Sequence, residues 1–278
     1  MSYYSVFGLT EEPFSTSPDP AFFYESLEHH EALVRLEISI KLKRGSNVVL
    51  GDVGTGKTTL ARKLYSLFSE KSKFDFGIIL DPSSESELGF WEQLADAFEI
   101  KAANPAQIYD YRKALESYLS RRGVEEGKTV ILSIDEAQKL NGHSIEVLRT
   151  LLNYETNKFK LLQLVLFGQL ELLNQIREQN NFWDRVALKY VLNSLSERET
   201  KELVEFRLKQ AGYKGGFPLF ADPAIHAIFE HTQGLPRRIM LICHNALEAL
   251  VIQNKERVDE ALVQTLIQEE AQILNVKQ

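Results

Sequence analysis

The segment Gly51-Asp52-Val53-Gly54-Thr55-Gly56-Lys57-Thr58 fits the spacing G-x-x-x-x-G-K-[ST], and it lies between an apolar run, Asn47 to Leu50, and a helical pattern. This feature constrains the fold more than any other, because the motif has meaning only where a strand feeds a helix through one tight turn. Its glycines allow the backbone to bend until successive N–H groups converge on an anion; side chains there would block the approach. The helix after the loop adds its unsatisfied N–H groups and its dipole. Lys57 is therefore expected on the β and γ phosphates of ATP and Thr58 on Mg²⁺, with the nucleotide-binding segment running from Gly51 through Thr59.

A second apolar strand, within Lys128 to Ile134, ends in Asp135 and Glu136. Two acids at the end of a buried strand need a reason. Asp135 is placed to hold the Mg²⁺ hydration shell beside Thr58, and Glu136, one residue further out, to polarise an attacking water. Phosphoryl transfer asks mainly for positioning and charge compensation, so these parts suffice for hydrolysis.

The rest of the chain supplies the scaffold. Further apolar runs at Phe76 to Leu80, Leu161 to Phe167 and Lys189 to Leu192 read as strands buried on both faces. Helical spacing of Leu60, Leu64, Leu67 and Phe68, and of Ile145, Leu148 and Leu152, fills the gaps between them. Strands alternating with helices predict an α/β fold, a five-stranded parallel sheet between helices, over residues 1–192, with residues 1–45 as an N-terminal segment and helix. After Asn193 the signals are those of helices alone. Ser196 with Glu199 reads as a capping box and Asp222 before Pro223 as an N-cap; Gly234 closes one helix and Pro236 opens the next. Residues 193–278 are expected to form a small all-helical lid.

Composition limits the setting. With 44% hydrophobic and 26% charged residues the chain is that of a globular protein, and no apolar run approaches membrane-spanning length. The single cysteine, Cys243, sits in an apolar helical stripe and reads as a buried small hydrophobe. Together with an opening segment that lacks the features of an export signal, it predicts a cytoplasmic protein. A net charge of −7 argues against strong constitutive binding of nucleic acid. His29 and His30 read as polar contacts at a helix start, since no cluster offers metal-ligand spacing.

With these elements placed, the chain resembles the AAA+ ATPases, and its two acidic and glycine-rich motifs correspond to Walker B and Walker A. The strand LLQLVLFGQ ends in Gln169, similar to the family's sensor 1. Arg185, in Trp183 to Val186, lies where the family carries an arginine finger that enters a neighbour's site, with Lys189 or a surface ion pair as alternatives. Gly234 to Arg238 (GLPRR) resembles sensor 2, with Arg237 on the γ-phosphate and Arg238 as the alternative. A closer similarity is carried by Phe7 to Phe14 (FGLTEEPF), Ser17 to Pro20, Phe22, Tyr24, His30 to Leu33, Asn153 to Glu155, Lys160 to Gln163 and Gly168-Gln169. These strings are similar to the ExeA-like ATPases of the general secretion pathway protein A family, except that Leu170 stands where that family usually has proline.

The resemblance implies Mg²⁺-dependent ATP hydrolysis by an ATP-promoted, ring-like homo-oligomer that assists assembly of a secretin- or pilus-type envelope machine. Related ATPases act in DNA transposition, so a DNA-associated regulator is the alternative. In such proteins the segment before the first strand helps wall the adenine pocket; most of Phe7, Phe14, Phe22, Phe23 and Tyr24 are expected to pack over the sheet edge. The short basic groups Lys41, Lys43 and Arg44, and Arg121 and Arg122, read as solvated helix ends.

Overall fold

The computed structural model describes residues 3–17, 19–178 and 182–275. Pro18 of the N-terminal string and the outermost residues of the expected domain ranges lie outside these. The chain divides into two compact units: an α/β unit of Leu27–Val53 and Lys57–Leu192, and a helical unit containing the segment up to Ser26, Gly54–Gly56, and the chain from Asn193 onward.

In the α/β unit, helix α1 (Leu27–Lys41) precedes β1 (Ser46–Gly51), α2 (Lys57–Phe68), β2 (Phe74–Ile79), α3 (Glu87–Ala97), α4 (Ile108–Ser120) and β3 (Thr129–Ile134). Beyond β3 come α5 (Gly142–Leu151), β4 (Leu162–Gly168), α6 (Glu171–Glu178) and β5 (Val186–Leu192). The five strands are all parallel, in the order β2-β3-β4-β1-β5. Every position of β1, β3 and β4 is buried, as their predominantly apolar runs require when helices cover both faces. The edge strand β5 departs from that expectation. It alternates, with Val186 and Leu192 buried but Ala187, Lys189 and Val191 exposed. It also starts at Val186 rather than Lys189, because an edge strand facing solvent on one side carries no continuous apolar run to mark its beginning. The order has a functional consequence: β4 separates β1 from β3, so the turn leaving β4 lies between the turns leaving β1 and β3.

The helical unit contains α7 (Glu197–Gln210), α8 (Asp222–Thr232), α9 (Pro236–Gln253) and α10 (Glu260–Asn275). The Ser196 hydroxyl oxygen accepts from the Glu199 N–H while the Glu199 carboxylate accepts from the Ser196 N–H, which satisfies two end groups of α7 at once. Asp222 does not cap α8. It is already the first helical residue, and its carboxylate pairs with Lys201 at 2.7 Å. Ile239, Ile242, Cys243, Ala246, Leu247 and Leu250 make the predicted stripe on α9, all buried, and burial pushes the Cys243 thiol well above its usual range.

The N-terminal aromatics depart from their expected place. Phe14 and Phe22 lie in the core of the helical unit, with Phe7 and Tyr24 against it, rather than over the sheet. Phe14 packs edge-on to Phe220 at 5.8 Å between ring centres. Burying one phenylalanine contributes roughly 1.5–3 kcal/mol, enough to assign the segment before Ser26 to this unit and not to the expected core of residues 1–192.

Candidate nucleotide site

The loop from Gly51 to Lys57 has the backbone its spacing demands. Gly54 (φ +87°) and Gly56 (φ +98°) occupy the left-handed region, where a side chain would be strained. At Gly54 an added Cβ would also stand 2.9 Å from the Arg237 side chain, and the Arg237 N–H donates to the Gly54 carbonyl at 3.3 Å. Lys57 opens α2 and is 8% exposed. Its ammonium donates to the Gly51 carbonyl at 2.8 Å and the Asp52 carbonyl at 2.7 Å. Burial lowers its pKa, against which Glu136, Asp135, Asp52 and Glu171 act. An ammonium with two of its three donors on neutral carbonyls keeps a third donor for an anion.

The acids stand at the carboxyl end of β3, where β2 extends the pairing: the Asp135 N–H donates to the Ile79 carbonyl at 2.9 Å. Asp135 is 4% exposed, and burial raises its pKa. Hydrogen bonds from the Thr58 hydroxyl and from the Glu136 N–H (2.9 Å) oppose that rise by stabilising the anion. Glu136 itself is left-handed, φ +50°, a conformation that costs a non-glycine residue roughly 1–3 kcal/mol and turns the chain sharply out of the strand. One hydroxyl and one carboxylate, in contact and mostly shielded from water, form an all-oxygen pair suited to Mg²⁺, which takes few protein ligands when phosphates and water complete its shell.

The sequence-predicted residues thus fall into four places. Lys57, Thr58, Asp135 and Glu136 are brought together at the carboxyl ends of β1 and β3. Gln169 comes directly after β4 and so stands between the two motifs. Arg185 is not with them: it is exposed, at the amino end of β5, its guanidinium on the Asn153 side-chain oxygen and its carbonyl accepting from the Ser46 hydroxyl at 2.8 Å. Arg237 is the second residue of α9 in the helical unit, next to Arg238.

Gln138 was not singled out by the sequence. Its side-chain amide donates to the Glu136 carboxylate at 2.5 Å, and its side-chain oxygen accepts from the Gln169 N–H at 3.0 Å. Gln175 supports it from α6, donating to the Gln138 carbonyl at 2.9 Å. The only signal was a carboxamide two residues after the glutamate, which is uninformative until the short helical turn Ala137–Lys139 brings the two side chains together.

A family model described as AAA domain matches residues 40–176. General secretion pathway protein A of Aeromonas hydrophila is 34% identical over 258 residues, 92% of this chain and 46% of that protein, so the chain spans about half the length of this relative. Among solved structures, the Aeropyrum pernix ORC2 protein in ADPNP–ADP complexes superposes with a TM-score of 0.66 at 15% identity, covering 93% of this chain and 71% of that one. Drosophila ORC bound to DNA gives 0.65 at 20% identity, covering 95% and 65%. The chain belongs to the AAA+ family and, within it, to the relatives of general secretion pathway protein A.

Proposed function

We propose that this chain binds and hydrolyses ATP with Mg²⁺. The observation that carries the reading is the meeting of the Lys57 ammonium, the Thr58–Asp135 pair and the Glu136 carboxylate at one end of the sheet. The loop from Gly51 to Thr59 binds the phosphates through backbone N–H groups, and Lys57 neutralises the charge that develops on them. Thr58 and Asp135 would hold Mg²⁺, whose charge supports phosphoryl transfer when bound. Glu136 orients the water and takes its proton, and Gln169 lies beside that path. Arg185 serves the site of a neighbouring copy in an ATP-promoted oligomer, and Arg237 reads the γ-phosphate from α9. These last roles rest on the family resemblance.

For the cellular process, the proposal is a cytoplasmic ATPase acting on a protein partner in assembly of a secretin- or pilus-type envelope machine. It rests on the 34% identity to general secretion pathway protein A. Among the described residues, no helix is long and apolar enough to cross a membrane. Several of the basic side chains that could have tracked DNA are engaged within the chain. Arg122 pairs with Asp75 (2.9 Å) and Glu126 (2.7 Å), Lys41 with Glu37 (2.7 Å), and Lys43 lies over the Phe159 ring. The test is phosphate release from Mg–ATP, and then duplex-DNA binding with a non-hydrolysable ATP analogue across a salt series. Turnover with DNA affinity no better than the ~10⁻⁴–10⁻⁶ M of non-specific binding supports the proposal. Tight, ATP-dependent filament formation on duplex DNA would replace it with the transposition regulator.

A further inference from the structure

We propose that Gln138 is a positioning residue that fixes the Glu136 carboxylate and ties it to the turn after β4. This rests on the reading of Glu136 as the group that activates water. The orientation of the Gln138 amide is set by chemistry. The Gln169 N–H can only donate, so the atom of Gln138 that meets it at 3.0 Å is the oxygen, and the amide nitrogen must face the other way. It faces Oε2 of Glu136 at 2.5 Å. One carboxylate oxygen is thereby held while the other stays available to water. The held residue is in a strained left-handed conformation, φ +50°, so its side chain is aimed by this bond in addition to its backbone.

The clasp is itself anchored. Gln175 on α6 donates to the Gln138 carbonyl at 2.9 Å, and the turn Ala137–Lys139 sets the side chain over the end of β4. A shift of the Gln169 backbone therefore moves the donor that orients the amide, and with it the amide's own bond to Glu136. Gln169, which resembles the family's sensor 1, and Glu136, the residue expected to activate water, are linked through one carboxamide.

Two substitutions separate this role from packing. Gln138→Leu preserves bulk and loses both side-chain bonds. Gln138→Glu keeps the acceptor for the Gln169 N–H but replaces the donor to Glu136 with a like charge, which raises the proton affinity of Glu136. Turnover of Mg–ATP is measured over pH and substrate concentration, with thermal unfolding and binding of a fluorescent ATP analogue alongside. Gln138→Leu should lower kcat by roughly 10- to 100-fold, the cost of a misplaced catalytic group. KM should stay within about three-fold, because ground-state contacts are untouched. In Gln138→Glu the acid limb of the kcat profile should move to higher pH. If Gln138→Leu fails to fold, the position of that limb in Gln138→Glu decides. Unchanged or faster turnover in Gln138→Leu, or an unmoved acid limb in Gln138→Glu, overturns the role of Gln138 while leaving Glu136 as base. Absence of turnover in the parent protein overturns the ATPase reading instead.

Discussion

Arg185 stands at the amino end of β5 and Glu136 just past the carboxyl end of β3; the pairings Val186–Ser46, Ser46–Leu164 and Leu164–Leu132 set Arg185 level with Ile131, five residues before Glu136 and roughly 17 Å of extended chain from its level in one parallel sheet. An exposed arginine on the far edge cannot serve the water held by its own Glu136. If Arg185 acts in catalysis, it acts on another copy. Arg185→Ala is then expected to lower turnover by several powers of ten, as loss of a finger supplied in trans does. Stability should change by less than about 0.5 kcal/mol, because the side chain is exposed. Mixing Arg185→Ala with Glu136→Gln protein should restore part of the activity at mixed interfaces. Undiminished turnover by demonstrably monomeric protein would remove Arg185 from the reaction.

Lys57 and Glu136 should fail differently. Lys57→Ala removes the charge for the phosphates and also the donor that ties the Gly51 and Asp52 carbonyls, so nucleotide binding itself should be lost. Glu136→Gln leaves the loop intact and should retain ATP while turnover drops by roughly 10²-fold or more. Calorimetric titration of both variants with ATP checks the difference. Equal loss of binding in both would make Glu136 a structural residue.

These variants target what the sequence displayed most openly. The Walker-type loop and the acid pair were legible because each is a local pattern whose context, strand then turn, is local too. The interior strands were legible for the same reason: burial on both faces writes a predominantly apolar run. What escaped depended on partners distant in sequence. Val186 is part of β5 because β1 pairs with it, not because its neighbours are apolar. Phe14 reads as aromatic surface for any apolar partner, and only the fold shows that the partner is Phe220. Asp222 before Pro223 carries the local signature of an N-cap, yet Lys201 on α7 claims the carboxylate. Gln138 became informative only once β4 brought the Gln169 N–H to its oxygen.

Asp135 should trade stability against function. The folded chain holds its proton more tightly than the unfolded chain does, because burial disfavours the anion. Its contribution to stability is therefore greatest below the unfolded carboxylate range and is lost as pH rises through the raised native value. Above that raised native value the nucleotide-free protein carries this penalty in full. Asp135→Asn keeps an oxygen for the Glu136 N–H and offers the Thr58 hydroxyl an amide group, without the charge. It is expected to raise the Tm of the nucleotide-free protein at pH 7. The gain should shrink as the pH is lowered into the carboxylate range, and turnover should be abolished. A Tm that falls at neutral pH would show that the hydrogen bonds to the anion outweigh its desolvation.

Arg207 makes the corresponding test for the helical unit. Only 9% exposed on α7, it donates to the carbonyls of Pro13 (2.9 Å) and Ser15 (3.0 Å) and faces the Phe22 ring at 5.4 Å. Burial pulls its pKa down to about 10, so it remains charged at neutral pH and binds the N-terminal segment through charge-assisted hydrogen bonds. Those carbonyls flank Phe14, whose burial fixes the segment against Phe220. Removing the guanidinium leaves two desolvated carbonyls without that donor. Arg207→Ala is expected to destabilise the protein by about 3 kcal/mol, while Arg207→Lys, with a single ammonium in place of a fork, should recover only part of that loss. Urea unfolding measures the energy, and limited proteolysis measures release of the segment before Ser26. Early cleavage there, at a urea concentration that leaves the α/β unit folded, identifies Arg207 as the clamp. An unmoved midpoint in Arg207→Ala would mean that burial of Phe14 and Phe22 holds the segment without it.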